Sequence, residues 1–171
     1  MGILSGNQEK QPLHYGEIFG MWSYISVAKG DYAAYQTFIN HTGDKELRQL
    51  LEELTQGIKQ ETAEIEDILK ANGIALPPSP PERPVAELEE IPVGARFNDP
   101  EISAMISANI SAGLVACSQI IGQCTREDIA MLFGQYHMNK AQVGAKSLRL
   151  NKEKGWLIPP PLHTKVPVQT T

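Results

Sequence analysis

Apolar residues recur at helical spacing along four long segments of the chain. In the first, about 14–41, large apolar side chains mostly lie three, four and seven residues apart. In the second, about 44–72, leucines and isoleucines keep to one stripe of three- and four-residue steps. Asp44 suits the N-cap of the second helix, and Gly43 and Gly73 follow helix ends, where a left-handed residue is favoured.

The third and fourth helices are predicted at about 99–123 and 126–154. Asp99 is the expected cap of the third helix, with a proline in its first turn. Residues 125–128, Thr-Arg-Glu-Asp, resemble a capping box for the fourth, and Gly155 ends it. The third helix lacks charged side chains after its first turn, which predicts that it is buried nearly all round.

Residues 74–98 contain no helical period, and their prolines favour extended backbone. This segment is either a flexible linker between two helical hairpins or a crossover along one bundle. The crossover is favoured, since each hairpin alone would leave an apolar face in water. The sequence thus predicts an all-α four-helix bundle as a single domain over residues 1–171. Its extended tail, 156–171, is expected to be held to the bundle by Trp156, Leu157 and Ile158.

Composition and charge narrow the function classes. The chain is 42 % hydrophobic and carries a net charge of −5, which argues against disorder and against nucleic-acid binding. Two cysteines and the absence of a signal-like N-terminus predict a protein that is not secreted. Residues 102–125 are long enough to span a membrane, but their serines and amides, without aromatic ends, favour a buried helix and no membrane span.

Several short motifs resemble one bacterial family. These are Gly16-Glu17-Ile18 followed by Met21-Trp22, the Asn72-Gly73-Ile74 exit, and the run from Glu153 to Pro160. They are similar to the domain of unknown function 3231, found in Bacillus-type spore formers near the spore coat F-like proteins. The resemblance implies a ferritin-like bundle of two hairpins joined by a long crossover, a spore-associated or cytoplasmic location, and spore coat proteins as partners.

A ferritin-like fold raises the question of a dimetal centre, which needs a Glu on two helices and Glu-x-x-His on the other two. The chain departs from that pattern. Glu61 is followed three residues later by Glu64 rather than His, Glu101 stands at a helix start, and His137 has Gly134 where the pattern needs Glu. A ferritin-type dimetal centre is therefore not expected.

The expectation is that the protein holds no cofactor. The alternative is a smaller site, with fewer ligands than a dimetal centre, for one ion of iron, manganese or zinc. Its candidate ligands are Glu17, Glu61, Glu64 and His137, with His14 as an addition. His14 and Glu17 also occupy capping-box positions, and Glu64 could face solvent. Glu61 alone interrupts an apolar stripe, so it needs a buried partner, either a metal ion or, across the core, Lys140 or Tyr136.

The sequence contains no catalytic motif. Cys117 and Cys124 lie about 10 Å apart on a helix, too far for a mutual disulfide, and Cys117 has apolar neighbours. The expected function is therefore a non-catalytic structural or binding role linked to sporulation. The alternatives are a metal-dependent redox enzyme and a small-molecule binding module that uses the bundle core.

The third helix also predicts self-association. Small side chains recur along it at four-residue spacing, in the rows Ala104, Ala108, Ala112, Ala116 and Ser103, Ser107, Ser111. Such a strip lets helices approach closely, and a twofold homodimer would cover it. The competing expectation is that the proline-rich crossover lies over this strip.

Overall fold

Helices account for nearly all regular structure in the described part of the chain, and no β-strand occurs there. The structure is a computed structural model that describes residues 11–161 and 163. Its long helices are α1 (Tyr15–His41), α2 (Lys45–Ala71), α3 (Asp99–Gln123) and α4 (Glu127–Glu153). Two single turns of 3-10 helix interrupt the segment between α2 and α3, at Leu88–Glu90 and Val93–Ala95. The all-α four-helix bundle is confirmed, and each helix bound lies within one residue of its predicted position.

Local hydrogen bonds fix most helix ends where the sequence predicts them. The Asp44 carboxylate accepts two first-turn N–H groups of α2, each at 2.9 Å. Gly73 has φ +72°, and the N–H of Ile74 donates to the Leu69 carbonyl at 3.0 Å, which is the Schellman ending. Gly155, with φ +71°, ends α4 in the same left-handed conformation.

At two of these helix ends the predicted capping residue is wrong, although the bound itself is right. Asn98, not Asp99, caps α3: its side chain accepts the Glu101 N–H at 3.0 Å, and the Glu101 carboxylate accepts the Asn98 N–H at 2.9 Å. Asp99 instead accepts the Thr42 hydroxyl at 2.7 Å and the Gly43 N–H at 3.2 Å, which ties α3 to the α1–α2 loop. Gly43 does not have a positive φ, so α1 ends without the left-handed residue predicted there.

The buried core consists of two apolar clusters, one toward each end of the bundle. The first cluster contains Met21, Tyr24, Ile25, Ile65, Leu69, Cys117, Ile120, Ile129, Phe133 and Tyr136. The second contains Ala28, Tyr35, Phe38, Leu47, Leu50, Leu51, Ile58, Ile102, Ile106, Ile110 and Leu150. Both clusters take residues from all four helices, so the hairpins α1–α2 and α3–α4 bury their apolar faces against each other.

The proline-rich segment lies along α1. Its hydrogen bonds to that helix are Trp22 Nε1 to the Ala75 carbonyl (2.9 Å), Lys29 Nζ to the Pro77 carbonyl (2.7 Å), Arg83 N–H to Gln36 Oε1 (2.9 Å) and Asn40 Nδ2 to the Pro84 carbonyl (2.9 Å). The segment is therefore a crossover that returns along the bundle. It does not cover the small-residue strip of α3, so that competing expectation is wrong.

The tail is held at its start by Trp156 and Leu157, whose backbone N–H groups donate to the Asn151 carbonyl at 2.9 and 3.1 Å. Trp156 packs against the second cluster. Ile158, by contrast, is 92 % exposed, so the prediction that it holds the tail to the bundle is wrong. The end of the predicted tail lies outside the described residues.

Helix α3 is buried on one face only. Ile102, Ile106 and Ile110 are buried, whereas Ala104, Ala108 and Ala112 are exposed. One side of α3 thus faces solvent in the single chain, as expected for a bundle of four helices, and burial all round would require a partner. The stretch Val93–Gln123 has the length and composition of a membrane-spanning helix, a weak indication because core helices of soluble proteins share both properties.

A homodimer through α3 stays a prediction, and the exposed alanine row defines its test. The serine row faces α4 instead: Ser103 is fully buried and donates to Asn151 Oδ1 at 2.9 Å. Light scattering should give a native mass near twice 18.8 kDa, and Ala108→Glu should lower it because a charge cannot be buried between close helices. Ala63→Glu, at an exposed position on α2, is the matched control and should keep the mass. A monomeric wild-type protein at micromolar concentration would contradict the prediction.

Candidate functional site

A buried ion pair lies between the two apolar clusters. Glu61 of α2 is 6 % exposed, and its Oε2 accepts hydrogen bonds from Lys140 Nζ of α4 at 2.8 Å and from the Tyr24 hydroxyl of α1 at 2.6 Å. Charged groups are costly to bury unless they are paired and hydrogen-bonded, and these contacts meet that requirement. Lys140 is thus confirmed as the partner of Glu61.

Gly113 of α3 makes room for the lysine. A Cβ atom at this glycine would lie 3.0 Å from Lys140 Cδ and 3.1 Å from Cε. The lysine stem therefore passes close against the α3 backbone, and its Nζ lies 5.5 Å from the centroid of the Tyr24 ring. The side chain thereby reaches the bundle centre from α4.

Three aromatic rings surround the ion pair. Tyr24 and Tyr136 stack with centroids 6.3 Å apart, and Phe133 packs edge-on against each of them at 5.2 and 5.5 Å. The Tyr136 hydroxyl donates to Glu64 Oε2 at 2.6 Å, so Lys140, and not the alternative Tyr136, is the partner of Glu61. Burial, and next the Glu61 charge, raises the pKa of Tyr24; burial and the bond to Glu64 raise the pKa of Tyr136. Both phenols consequently remain protonated donors.

A second polar group lies nearby, between α1 and α3. Asn109 Nδ2 donates to Asp31 Oδ1 at 3.1 Å. Burial raises the pKa of Asp31, against an opposing effect of the Lys140 charge. Burial also raises the pKa of Tyr35 to about 12, with a further contribution from Asp31. The Asp31 carboxylate thus sits in a partly apolar setting with only an amide to bond it among the described residues.

These groups line a cavity of about 540 Å³ that reaches between the two hairpins. All four helices contribute to its wall, through small residues such as Gly20, Ala116 and Gly113 and through the polar groups described above. Phe19 and Val27, 72 % and 65 % exposed, stand at its α1–α3 side. A space of this size, mostly apolar and with a few converging polar groups, has the character of a small-molecule site.

Glu17 lies away from this cavity, at the start of α1. It forms the predicted capping box, with its Oε2 accepting the His14 N–H at 3.1 Å. Its Oε1 accepts the N–H groups of Thr125 and Arg126 at 2.8 and 2.9 Å, so it caps α4 as well. The capping box predicted within residues 125–128 is therefore wrong, since α4 has no side-chain cap of its own.

Burial alone would raise the pKa of Glu17. The backbone N–H groups of Arg126, His14 and Thr125 outweigh it and lower the pKa below its ordinary value. The Glu17 carboxylate is 1 % exposed and joins the ends of two helices. Its position is explained by this capping role.

The other candidate metal ligands are only partly brought together. Glu61 and Glu64 both line the cavity, whereas His137 lies in a shallow groove with Leu114 and Ser118. Within residues 11–161 and 163, no three His, Cys, Asp or Glu side chains are grouped as metal ligands would be. The Lys140 ammonium occupies the position beside Glu61 that a cation would take. Metal binding by this set stays a prediction.

Neither cysteine is placed as a nucleophile. Cys117 is fully buried, with its Sγ 3.9 Å from the Tyr24 hydroxyl. Cys124 ends α3, and burial, followed by the charges of Glu17 and Asp128, raises its thiol pKa. Both thiols therefore favour the protonated form.

Sequence reasoning missed Tyr24, Asp31 and Asn109 as members of the site. The available signal was their spacing from buried positions: Tyr24 and Asp31 lie four and three residues from Ala28, and Asn109 lies three residues from Ile106. A helical period identifies a face, but it does not tell which helix the face meets.

Comparison with known proteins identifies the family to which this chain is similar. The model of a family described as "Protein of unknown function (DUF3231)" matches residues 1–167. The uncharacterized protein YvdQ of Bacillus subtilis strain 168 is 55 % identical over 163 residues, which are 95 % of this chain and 96 % of that protein.

Two solved structures are similar. The crystal structure of a "putative spore coat protein" of Bacillus halodurans C-125 has a TM-score of 0.91 and 57 % identity, covering 93 % of this chain and 100 % of that one. A conserved hypothetical protein of Mycobacterium tuberculosis, rv2844, has a TM-score of 0.66 at 9 % identity, covering 81 % and 98 % of the two chains; it shows the fold alone.

Because Glu17 caps both α1 and α4, we expect it to make a pH-dependent contribution to the free energy of unfolding. Glu17→Gln should lower the free energy of unfolding at neutral pH by about 1.5–3 kcal/mol, the range for hydrogen bonds to a charged group. Because the folded pKa lies below the ordinary value of 4.5, this stabilisation is present above that value and is lost as the pH falls through the folded pKa. Urea unfolding at neutral pH and at about pH 3 should show the difference shrinking.

Glu52→Gln, at an exposed position on α2, is the matched control for that measurement and should change stability little. A difference between wild type and Glu17→Gln that stays the same at both pH values would contradict the capping role of the charge.

The buried ion pair predicts strong coupling between its members. Lys140→Met alone should lower the free energy of unfolding by about 3–5 kcal/mol, because Glu61 is left buried without a cation. Glu61→Gln removes the charge that needs compensation, so the double variant should lose clearly less than the sum of the single variants. Urea unfolding of all four proteins measures the coupling, and additive losses would show that the two side chains do not interact.

Proposed function

We propose that this chain, which belongs to the DUF3231 family, is a spore-associated, non-catalytic protein that acts by structure or by binding. The observation that carries the proposal is the 57 % identity to the Bacillus halodurans "putative spore coat protein" over nearly the whole of both chains. At this level of identity and coverage, with a TM-score of 0.91, the two proteins share the fold. The Bacillus subtilis relative extends the same architecture to a second spore former.

The contacts of the buried carboxylates support a non-catalytic role. Glu61 is engaged by Lys140 and Tyr24, Glu64 is engaged by Tyr136, and Glu17 caps two helices. Each carboxylate therefore has a stabilising contact inside the protein. The proposal classes the bundle as ferritin-like, because two antiparallel hairpins are joined by one long crossover.

Spore association is tested by localisation. Expressed in sporulating Bacillus subtilis in place of the relative that is 55 % identical, a fluorescent fusion of this chain should gather at the forespore and be recovered with purified spores. The fluorescent protein alone is the control and should stay in the mother-cell cytoplasm. A fusion that behaves like this control would overturn the proposal.

Metal analysis separates the proposal from its alternative, a metal-dependent redox protein. Protein purified without a His tag should contain no stoichiometric iron, manganese or zinc, since Lys140 already neutralises Glu61. Melting should be insensitive to chelators in the wild type and in Glu61→Gln. Stoichiometric metal that is lost in Glu61→Gln or His137→Ala would favour the redox alternative.

A further inference from the structure

The cavity between the hairpins has an uneven distribution of charge. Its wall carries the carboxylates of Asp31, Glu53, Glu61 and Glu64 but only one cationic group, that of Lys140. The remaining wall is mostly apolar or aromatic. A ligand that enters this space therefore meets a negative field, strengthened by the low polarity around it.

Three of the four carboxylates have strong partners. Glu61 is paired with Lys140, Glu64 accepts the Tyr136 hydroxyl and Gln60 Nε2, and Glu53 is paired with Lys146. Asp31 is the exception. It accepts one amide hydrogen bond, from Asn109, and the described residues bring no cation into contact with it.

The surroundings of Asp31 fit an organic cation. The ring of Tyr35 lines the cavity beside it, and the rings of Tyr24 and Tyr136 line the centre of the cavity. Aromatic faces attract cations and pack against apolar groups. A molecule with an ammonium group at one end and an apolar or aromatic body at the other would satisfy the acid and fill the apolar volume.

The cavity also has the size and access that such a ligand needs. About 540 Å³ lies within the range of pockets that enclose small organic molecules. The exposed side chains of Phe19 and Val27 stand at the α1–α3 side, where the two hairpins meet. Ala116 of α3 keeps the interior wide, because a larger side chain there would fill it.

We propose that this cavity binds a small organic amine, with its ammonium group on the Asp31 carboxylate and its apolar body along Tyr24, Tyr35 and Ala116. The inference rests on the binding half of the proposed function. A metal ion fits less well, since no three ligating side chains converge in the described chain. A small organic anion would pair with Lys140 only by competing with Glu61, and it would face the three other carboxylates.

The test compares three ligands of similar size and different charge by isothermal titration calorimetry on the full chain. They are 2-phenylethylamine, which is cationic, 2-phenylethanol, which is neutral, and 3-phenylpropanoate, which is anionic. The amine should bind at least about tenfold more tightly than the alcohol, the gain expected from a partly buried charged hydrogen bond. The anion should bind more weakly than both. Equal affinities, a preference for the anion, or no binding of the amine would overturn the proposal.

Two variants locate the binding. Asp31→Asn keeps the shape of the side chain and should remove the preference for amine over alcohol. Ala116→Leu fills the cavity and should weaken both ligands by about tenfold or more. Ala145→Leu, the same change at an exposed position of α4 outside the cavity, is the matched control and should bind like the wild type. Wild-type affinity in both Asp31→Asn and Ala116→Leu would place the amine elsewhere and contradict the proposal.

The binding and localisation experiments together separate this inference from the proposed function. If the wild-type fusion gathers at spores but the amine does not bind, the cavity proposal fails and spore association stands. If the amine binds with the expected variant pattern but the fusion stays in the cytoplasm, spore association fails and the cavity proposal stands.

Discussion

The interior of the bundle is organised around a buried ion pair, Glu61 with Lys140, at the point where its two apolar clusters meet. Burying two charges is unfavourable, and here Tyr24 supplies the compensating contacts: its hydroxyl donates to Glu61, and its ring lies beside the Lys140 ammonium group. Removal of either partner would leave an unpaired charge in the core. The pair also fixes the register of the hairpins, since α2 and α4 must hold these two side chains at the same level.

Other features of the interior follow from that constraint. The lysine stem needs the space left by Gly113, and this space is part of the cavity that separates the clusters. A well-packed four-helix bundle would fill its centre with leucine or isoleucine. This one keeps small residues and polar groups there, at a cost in packing contacts. Proteins commonly give up packing contacts and local pairing at sites that bind a ligand. The Asp31 carboxylate, which has no cation in contact among the described residues, is a second feature of this kind.

The sequence predicts helices better than it predicts contacts between them. Helix bounds follow from apolar period and caps, and Glu61 is identifiable because it breaks an apolar stripe. Tyr136 could not be assigned to Glu64 rather than Glu61, since both acids lie within one turn of α2 and the difference depends on the rotation of α4. Glu17 likewise caps α4 through contacts more than a hundred positions away along the chain. The exposed alanine row of α3 was identifiable from its small, uncharged side chains, but composition does not tell what covers it.

The central claim is that a charged Lys140 ammonium group lies inside the bundle, on Glu61 and over the Tyr24 ring. Nuclear magnetic resonance of the lysine side-chain ammonium groups tests it directly in the full-length protein. The account predicts an ammonium signal at neutral pH that is protected from exchange with water, shows proximity to the Tyr24 ring protons, and disappears in Lys140→Met. The buried Lys29 ammonium group, bonded to the Pro77 carbonyl and paired with Glu66, should give a second protected signal that stays in this variant. If no protected ammonium signal is lost in Lys140→Met, the buried pair does not exist and the account is wrong.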